Sequence, residues 1–554
     1  MKRFRALHLL LLILSATTLA PAQSTDATIS GVVVDPSGKV ITNADIEILN
    51  EATGVHYAGR TNESGIYTDS ILPPGQYRIQ VSKVGFKTLI KPGIVLNVQS
   101  AVVLNFALPI GATSESVTVE AGVSLVNTTD PSVSTVIDRN FVENIPLNGR
   151  SFQDLISMTP GIVTQSPQTG SQSPAYNGDF SVNGQRTESN YYIVDGVSGN
   201  VSAGSPSGAP QAASSGLIAG STALGTTQGL LSADSLQEFR VESSTYSAEY
   251  GRSPGGQFSF LTRSGTNQYH GSAADYVRNN FFDANDWFND HYGKSISPLR
   301  QNDFGGTLGG PIRIRALYDG INRTFFFASY EGLRLTQPQA AAIQYVPDAF
   351  MRQQAPAALA PILNAFPIPN GMDYGTATSP SLAQFIQPYS LPSQIDSTSI
   401  RVDHAVLPKM TAFFRFADTP SSTSSRYLST FAVNHVDTQT YTLGIDNQFS
   451  HSTSNGLRLG YSYGHSAGTY SIDAFAGAQP VDLASATGVG SYPHATALFE
   501  IYIPGLGSTY METTQPENLS RQWESRGHSQ RYIWSPSNEI WRRLSTHRFS
   551  DDLR

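Results

Sequence analysis

The 554-residue chain contains no cysteine. Disulfides, thiolate metal sites, a cysteine nucleophile and a lipoprotein anchor are therefore excluded. Charge is scarce as well: Asp, Glu, Lys and Arg make up 14%, against ~25% in ordinary soluble proteins. The formal net charge of -8 offers no basic stripe, so nucleic acid as a partner has no electrostatic support. None of the eleven histidines begins an H-E-x-x-H or H-x-x-E pattern, which removes zinc-peptidase chemistry. Beyond the N-terminus no apolar run is long enough for a spanning helix, so any later membrane contact must be made by strands or at the surface. What is plentiful is Gly (48), Phe (27) and Tyr (25), a mixture that favours strands and turns. The length suggests three or four domains.

Lys2, Arg3 and Arg5 precede the apolar run "ALHLLLLILSATTLA", and Ala20-Pro21-Ala22 offers a small-residue cleavage site. Residues 1–22 read as a secretory signal peptide, since Ser15, Thr17 and Thr18 interrupt a run already too short for an anchor. From 27 to 108, β-rich segments alternate with turn signals at Pro36-Ser37-Gly38, Glu63-Ser64-Gly65 and Pro73-Pro74-Gly75. Short strands with turns about every ten residues argue for two packed antiparallel sheets. The run from "GVVVDPSGKVITNADIEILN" to "GQYRIQVSKVGFKT" also resembles the carboxypeptidase regulatory-like module, a transthyretin-like β-sandwich. That resemblance implies a structural or ligand-contacting accessory and no peptidase activity.

Residues 112–129 form a loose ribbon. Within it Glu115, Ser116, Val117, Thr118, Val119, Glu120 and Ala121 alternate valine with polar residues, so the segment can add as a strand to the edge of another sheet. It can equally be the last strand of the sandwich or an exposed linker. Downstream, Ile137, Phe141 and Ile145, then Phe152, Leu155 and Ile156, recur at helical spacing, broken by Asn148-Gly149-Arg150. Asp195-Gly196 is a turn signal after the strand "NYYIV". Gly149 and Gly196 read as backbone positions of positive φ and Arg150 as a surface ion-pair donor, all of them fold determinants. Between Ile193 and Glu238 no aromatic residue occurs, the mark of a long irregular excursion that could receive a ligand or serve as a spacer.

Read in order, "NIPLNGRSFQDLISMTPGI", "VNGQR", "YYIVDGV" and "LQEFRVESSTYSAEYGRSPGGQFSFLTRSGTNQYHGS" resemble the plug domain and first barrel strand of TonB-dependent outer-membrane receptors of the Oar-like kind. The resemblance implies a mainly β chain: a sandwich, an α+β plug at 130–263 and an antiparallel transmembrane β-barrel from 266. It further implies that 115–121 is the TonB box and that Asn148, Gly149, Arg150, Asp195, Gly196, Gly251 and Arg252 are plug motifs. The implied partners are the inner-membrane TonB complex, outer-membrane lipid and an unidentified bulky substrate, carbohydrate or peptide, with no cofactor, no metal and no catalytic residue.

The physical sign of a barrel is alternation. Tyr441, Leu443, Ile445 and Phe449 oppose Thr442, Gly444 and Asp446; Leu457, Leu459, Tyr461 and Tyr463 oppose Arg458, Gly460 and Ser462; Phe414 and Phe416 oppose Arg415. One face suits hydrocarbon and the other water. A soluble antiparallel sheet shows the same period. Gly460 to Gly464 matches G-x-S-x-G, yet alternation runs through it where that elbow needs a helix. Asp283 to Asp290, "DANDWFND", reads as a solvated loop or, less well, a weak divalent site, since it lacks the spacing of a calcium loop. Seven strands are legible between 268 and 465, against about 22 in plugged outer-membrane transporters. The barrel is accordingly expected to be partial, covering 266–520. Residues 521–554, with three of the four Trp and seven Arg, lack visible alternation and read as an aberrant tail, with a frameshift or premature stop near Glu524. The expected function is a TonB-dependent outer-membrane receptor and transporter. A periplasmic or cell-surface carbohydrate-binding or structural β-protein is the alternative.

Overall fold

The computed structural model describes residues 25–118, 132–164 without 146 and 152, 180–200 without 187 and 188, 227–246, 254–488 without 408, 451 and 452, 496–533 and 542–544. The expected signal peptide, 1–22, lies outside them. In β1 (Ala27–Val34) every second residue is buried, as expected of a strand with one face on a core. β1 sits between β4 (Ile66–Leu72) and β7 (Ala101–Val103), with β8 (Phe106–Ala107) also paired to it. The second sheet runs β3 (His56–Arg60), β2 (Asp45–Asn50), β5 (Gly75–Ser82), β6 (Thr88–Leu96) and β9 (Ser116–Thr118). Ile29, Ile46, Ile48, Tyr77, Ile79 and Leu96 fill the space between the sheets.

The next unit is α+β. β10 (Val133–Ile137), β15 (Leu236–Ser244), β16 (Gln257–Thr262), β13 (Tyr191–Val194) and β14 (Val197–Ser198) lie side by side in that order. β11 (Ile162–Thr164) pairs with β12 (Phe180–Val182). Asp138 caps the helix Arg139–Asn144 by accepting from the Phe141 N–H, and a second short helix spans Gln153–Ser157. The helical reading put Phe141 inward. It is 54% exposed and Val142 is buried instead, because the short helix turns a different face to β15 than the Ile137–Phe141–Ile145 spacing implied. An aromatic stack of Phe180, Phe258 and Tyr192, with Phe239 on Phe260, forms the core.

From residue 270 a nine-stranded antiparallel sheet follows the chain: β17 (His270–Asn279), β18 (Arg300–Pro311), β21 (Thr324–Gln339), β24 (Tyr389–Leu407), β25 (Met410–Tyr427), β26 (Thr430–Ser450), β27 (Thr453–Ile472), β30 (Glu517–Ile533) and β31 (Arg542–Leu544). Its connections carry three small hairpins: β19 (Arg313–Ile314) with β20 (Tyr318–Asp319), β22 (Ile343–Pro347) with β23 (Leu382–Ile386), and β28 (Ala497–Ile503) with β29 (Gly507–Thr513). Among the described residues β17 and β31 each have one neighbour, so the barrel is not closed.

Burial separates a membrane wall from a soluble sheet. Arg415 and Arg458 are each 2% exposed, whereas Phe414 is 44% and Trp523 64% exposed. The polar face is buried and the apolar face open, the inverse of a soluble sheet and the arrangement of a lipid-facing wall around a filled lumen. On the outer face Phe416, Tyr441, Tyr461 and Trp523 touch in sequence across β25, β26, β27 and β30, with ring centroids 5.0, 5.9 and 4.5 Å apart. Outward aromatics of this kind suit a lipid-facing surface. β26 has 21 residues, roughly 70 Å at ~3.4 Å per residue, so it projects well beyond a hydrocarbon core of ~30 Å.

The two ends of the wall differ. At one end the connections are short, 408–409 and 451–452, with 312–323 between β18 and β21. At the other, 280–299, 340–388 and 473–516 are long, and the last two share an apolar core of Val346, Phe366, Phe385, Leu483 and Met511 with Leu428 of the β25–β26 turn. The expected barrel limit at 520 is corrected. β30 continues to Ile533 in unbroken register with β27, from Ala467↔Glu517 to Thr453↔Arg531. Alternation persists there: Arg521, Trp523 and Ser525 are more exposed than Gln522, Glu524 and Arg526. Glu524 and Arg526 hid the pattern, because they face the lumen, while Arg521 lies on the exposed side. Two strands, β30 and β31, join the seven read from the sequence.

Candidate functional site

The plug meets the wall at the β13–β14 turn. Asp195 (φ 49) and Gly196 (φ 86) both lie in the left-handed region, which makes a two-residue hairpin of the kind Asp-Gly favours. A side chain at Gly196 would also press on Arg458, whose Cγ lies 3.0 Å from an ideal Cβ. Asp195 is 1% exposed. Its Oδ1 accepts from the Thr262 N–H at 2.9 Å and from Arg401 Nη1 at 3.1 Å, and its Oδ2 accepts from Thr262 Oγ1 at 2.8 Å. Arg415 Nε stands 3.8 Å from the same carboxylate, and among the described residues Nε and Nη2 of Arg415 find no hydrogen-bond acceptor. Arg401 also holds Asp403 at 2.8 Å and lies over the Phe413 ring, 4.3 Å from its centroid. Arg458 pairs with Asp446 at 2.6 Å and with Asp26, ahead of β1, at 3.2 Å.

Two further attachments flank this one. Asn148-Gly149-Arg150 forms a single helical turn with φ of 58 at Gly149 and 57 at Arg150. The surface role expected for Arg150 is corrected. Its side chain is 12% exposed, paired with Asp234, and lies over Tyr276 of β17 at 5.2 Å. Burial disfavours its charge, but Asp234, backed by Glu331 and Asp303, outweighs that and raises its pKa. On the opposite flank Glu524 of β30 accepts from the Ser198 N–H at 2.7 Å, and Arg526 donates to the Tyr191 hydroxyl. Gly460, in the discounted G-x-S-x-G, is where the hairpin leans on the wall: a Cβ there would lie 2.3 Å from Val197 Cγ1. Ser462 is a strand residue of β27 paired with Thr440.

Other expected residues fall elsewhere. Ser116, Val117 and Thr118 pair in parallel with Thr88, Leu89 and Ile90 at the sandwich edge, and Glu115 bonds Lys87 at 2.6 Å. Val119, Glu120 and Ala121, and the plug residues Gly251 and Arg252, lie outside the described residues. In "DANDWFND", Asp286 caps the helix Trp287–His291 and Asp283 pairs with Arg278. Among the described residues no group of three His, Cys, Asp or Glu is placed to hold a metal ion. On the sandwich side of the plug, Glu238 accepts from the Val98 N–H. Burial raises its pKa to about 7, with that hydrogen bond opposing and Asp138 adding to the rise.

The sequence sets Arg415 and Arg458 on the water-suited face of their strands but does not mark them, or Arg401, as site residues, though a signal exists. Ile400-Arg401-Val402, Phe414-Arg415-Phe416 and Leu457-Arg458-Leu459 each set an arginine between two apolar neighbours. When the neighbours face lipid, the arginine must face the lumen.

Residues 261–528 match the outer membrane beta barrel domain and residues 28–109 the carboxypeptidase regulatory-like domain. The TonB-dependent transporter Oar of Myxococcus xanthus is 27% identical over 305 residues, 52% of this chain and 25% of that protein. The chain thus spans about a quarter of the length of that curated relative. Similar solved structures include the siderophore receptor PirA from Acinetobacter baumannii (TM-score 0.42, 13% identity, 74% of this chain and 47% of that one) and the outer membrane transporter YddB from Escherichia coli (0.35, 11%, 74% and 58%). The chain is an outer-membrane protein built on these two domains.

Proposed function

We propose that this outer-membrane protein acts as a TonB-dependent receptor and transporter in which the plug gates the lumen for a bulky carbohydrate or peptide. One observation carries the reading: the plug keeps its apolar core to itself. The cluster between Ile137 and Phe260 takes no side chain from the wall. Plug and wall meet instead largely through the charged groups Asp195, Arg150, Arg401, Arg415, Glu524 and Arg526, with Val197 packed on Gly460. Parting such faces delivers charges to water, which solvates them. A plug held in this way can be withdrawn and reseated without unfolding.

The handle is Ser116 to Thr118 and the residues that follow. Three residue pairs hold it to β6, so transfer to the edge of an inner-membrane partner breaks few hydrogen bonds, each of about 0.5–1.5 kcal/mol net. The competing reading, a permanent last strand of the sandwich, is favoured by the same pairing. A photo-crosslinking residue in place of Val117 separates them. Cross-links to the periplasmic domain of TonB in living cells are expected, and their loss when Val117→Pro blocks strand pairing. A probe that reacts only with the sandwich under every growth condition would sink the proposal.

A further inference from the structure

The sandwich does not hang free. Ser70 of β4 and Ser454 at the start of β27 are both buried and their hydroxyls are 3.0 Å apart. Gln448 Nε2, at the end of β26, donates to Asp69 Oδ1 at 2.9 Å. Arg458 reaches Asp26 at 3.2 Å. Across the sheet, ahead of β17, the Asn267 N–H donates to Ala52 O at 3.1 Å and its side chain to Thr53 O at 2.7 Å. The plug joins in: Glu238 accepts from the Val98 N–H, and Arg240 Nη1 donates to Gln99 O at 3.0 Å. These partners lie at the short-connection end of the wall, on strands at both sides of the described sheet and on β15 between them. Of these, Asp26, Ala52, Thr53, Glu238 and Arg458 line a cavity of about 450 Å³, together with Asp195, Arg401 and Asp403.

The sandwich core is built only from residues 27 to 108, so the seat, like the plug contact, is polar and separable. Anything that passes the plug arrives in this chamber with the sandwich across its outlet. We propose that the N-terminal sandwich is a second gate, seated on the short-connection mouth of the barrel beneath the plug, which must lift off for the lumen to drain. Its purpose rests on the transport reading. Its geometry does not, so a test without TonB or substrate can fail on its own.

A chain without cysteine supplies the test. Ser70→Cys with Ser454→Cys places two thiols where the hydroxyls now touch, close enough for a disulfide after modest adjustment. In isolated outer membranes the pair should oxidise and change denatured gel mobility, reversibly with a reductant. Hydrogen exchange of the amides of Leu261 and Thr262, which line the chamber, should then be at least roughly tenfold slower in the oxidised than in the reduced protein. In the cysteine-free chain Gln448→Ala removes one seat hydrogen bond and should speed the same amides roughly fivefold. Failure to cross-link would show that the sandwich is not seated there. Equal exchange in oxidised and reduced protein, or no acceleration in Gln448→Ala, would show that it does not open. Either result overturns the proposal.

Discussion

Replacing Asp195 should loosen the plug more than replacing the arginine it binds. Asp195→Ala removes the acceptor for both Thr262 donors and for Arg401. Arg401 keeps Asp403, but Arg415, 2% exposed, has Asp195 as its recorded ion-pair partner. Removing one partner of a buried pair and leaving the other charged costs about 3–5 kcal/mol. Arg401→Ala is milder, because Asp195 retains two hydrogen bonds from Thr262 and the charge of Arg415. Between plug and wall the loss there is one hydrogen bond between charged groups, about 1.5–3 kcal/mol, with the contacts of the same Nη1 to Thr262; the bonds to Asp403 lie within the wall.

The reporter is Ser198→Cys, a conservative change at a buried hairpin position facing β30. Maleimide labelling of that single cysteine reads how often the hairpin leaves the wall. With tenfold in rate for every 1.4 kcal/mol, Asp195→Ala should label roughly 100- to 3,000-fold faster than the parent. Arg401→Ala should label roughly 10- to 150-fold faster. Asp195→Asn, which can still accept from Thr262, should fall below Asp195→Ala. Equal rates for the alanine variants at the two positions, or a parental rate for Asp195→Ala, would refute the ionic hinge as what seats the plug.

Three further outcomes follow from other parts of the structure. Glu238 has a folded pKa of about 7, above its unfolded value, so the folded state holds a proton that the unfolded chain releases. Glu238 should make stability fall as pH rises from about 4.5 to 7, by up to about 3 kcal/mol, and level off above; urea midpoints at pH 5 and pH 8 check this, and Glu238→Gln should reduce the dependence by that amount. Gly460→Val should push β14 off the wall at a cost of about 1–3 kcal/mol, read as faster labelling of Ser198→Cys, while Gly460→Ala should do less. Trp523 stands on the outer face, so brominated lipid should quench a fluorescence component that Trp523→Phe removes. Arginine in its place should hinder membrane insertion by about 1 kcal/mol near the interface and more at greater depth.

Local pattern carried much of the fold. Ala27, Ile29 and Val33 announced a half-buried strand, and Asp195-Gly196 a hairpin turn. Tyr441 to Phe449 announced a two-faced strand, but not which face is covered. That answer needed the third dimension, where Arg458 and Asp446 are buried and Tyr461 is not. Partners were illegible for the same reason. Asp195 and Arg401 are 206 residues apart, and nothing local to either names the other. β30 was lost because charge was read as a broken pattern, although Glu524 and Arg526 are the inward members of an intact one. The handle is a third kind of miss. Val117 shows that the segment can pair, but pairing to an edge is set by backbone, so its side chains do not say whether the edge belongs to β6 or to another protein.

Why the plug should be held by charge follows from what a gate must do. An apolar contact gains about 25 cal/mol for each Å² removed from water, and the same sum is lost when the plug leaves and both faces wet. Holding strength and opening cost then rise together. A buried ion pair behaves differently, because desolvation cancels much of the attraction when the pair forms and hydration returns it when the pair parts. Its geometry still admits one docked position: Asp195, fixed within the plug by Thr262, must meet Arg401 and Arg415 at once. The plug is thus located sharply while its net hold stays moderate, which, on the proposed function, a pull through one short strand can overcome. If this is right, exchanging the three charged side chains for well-packed apolar ones should not free the plug. It should hold it more firmly, and Ser198→Cys in that background should label more slowly than in the parent.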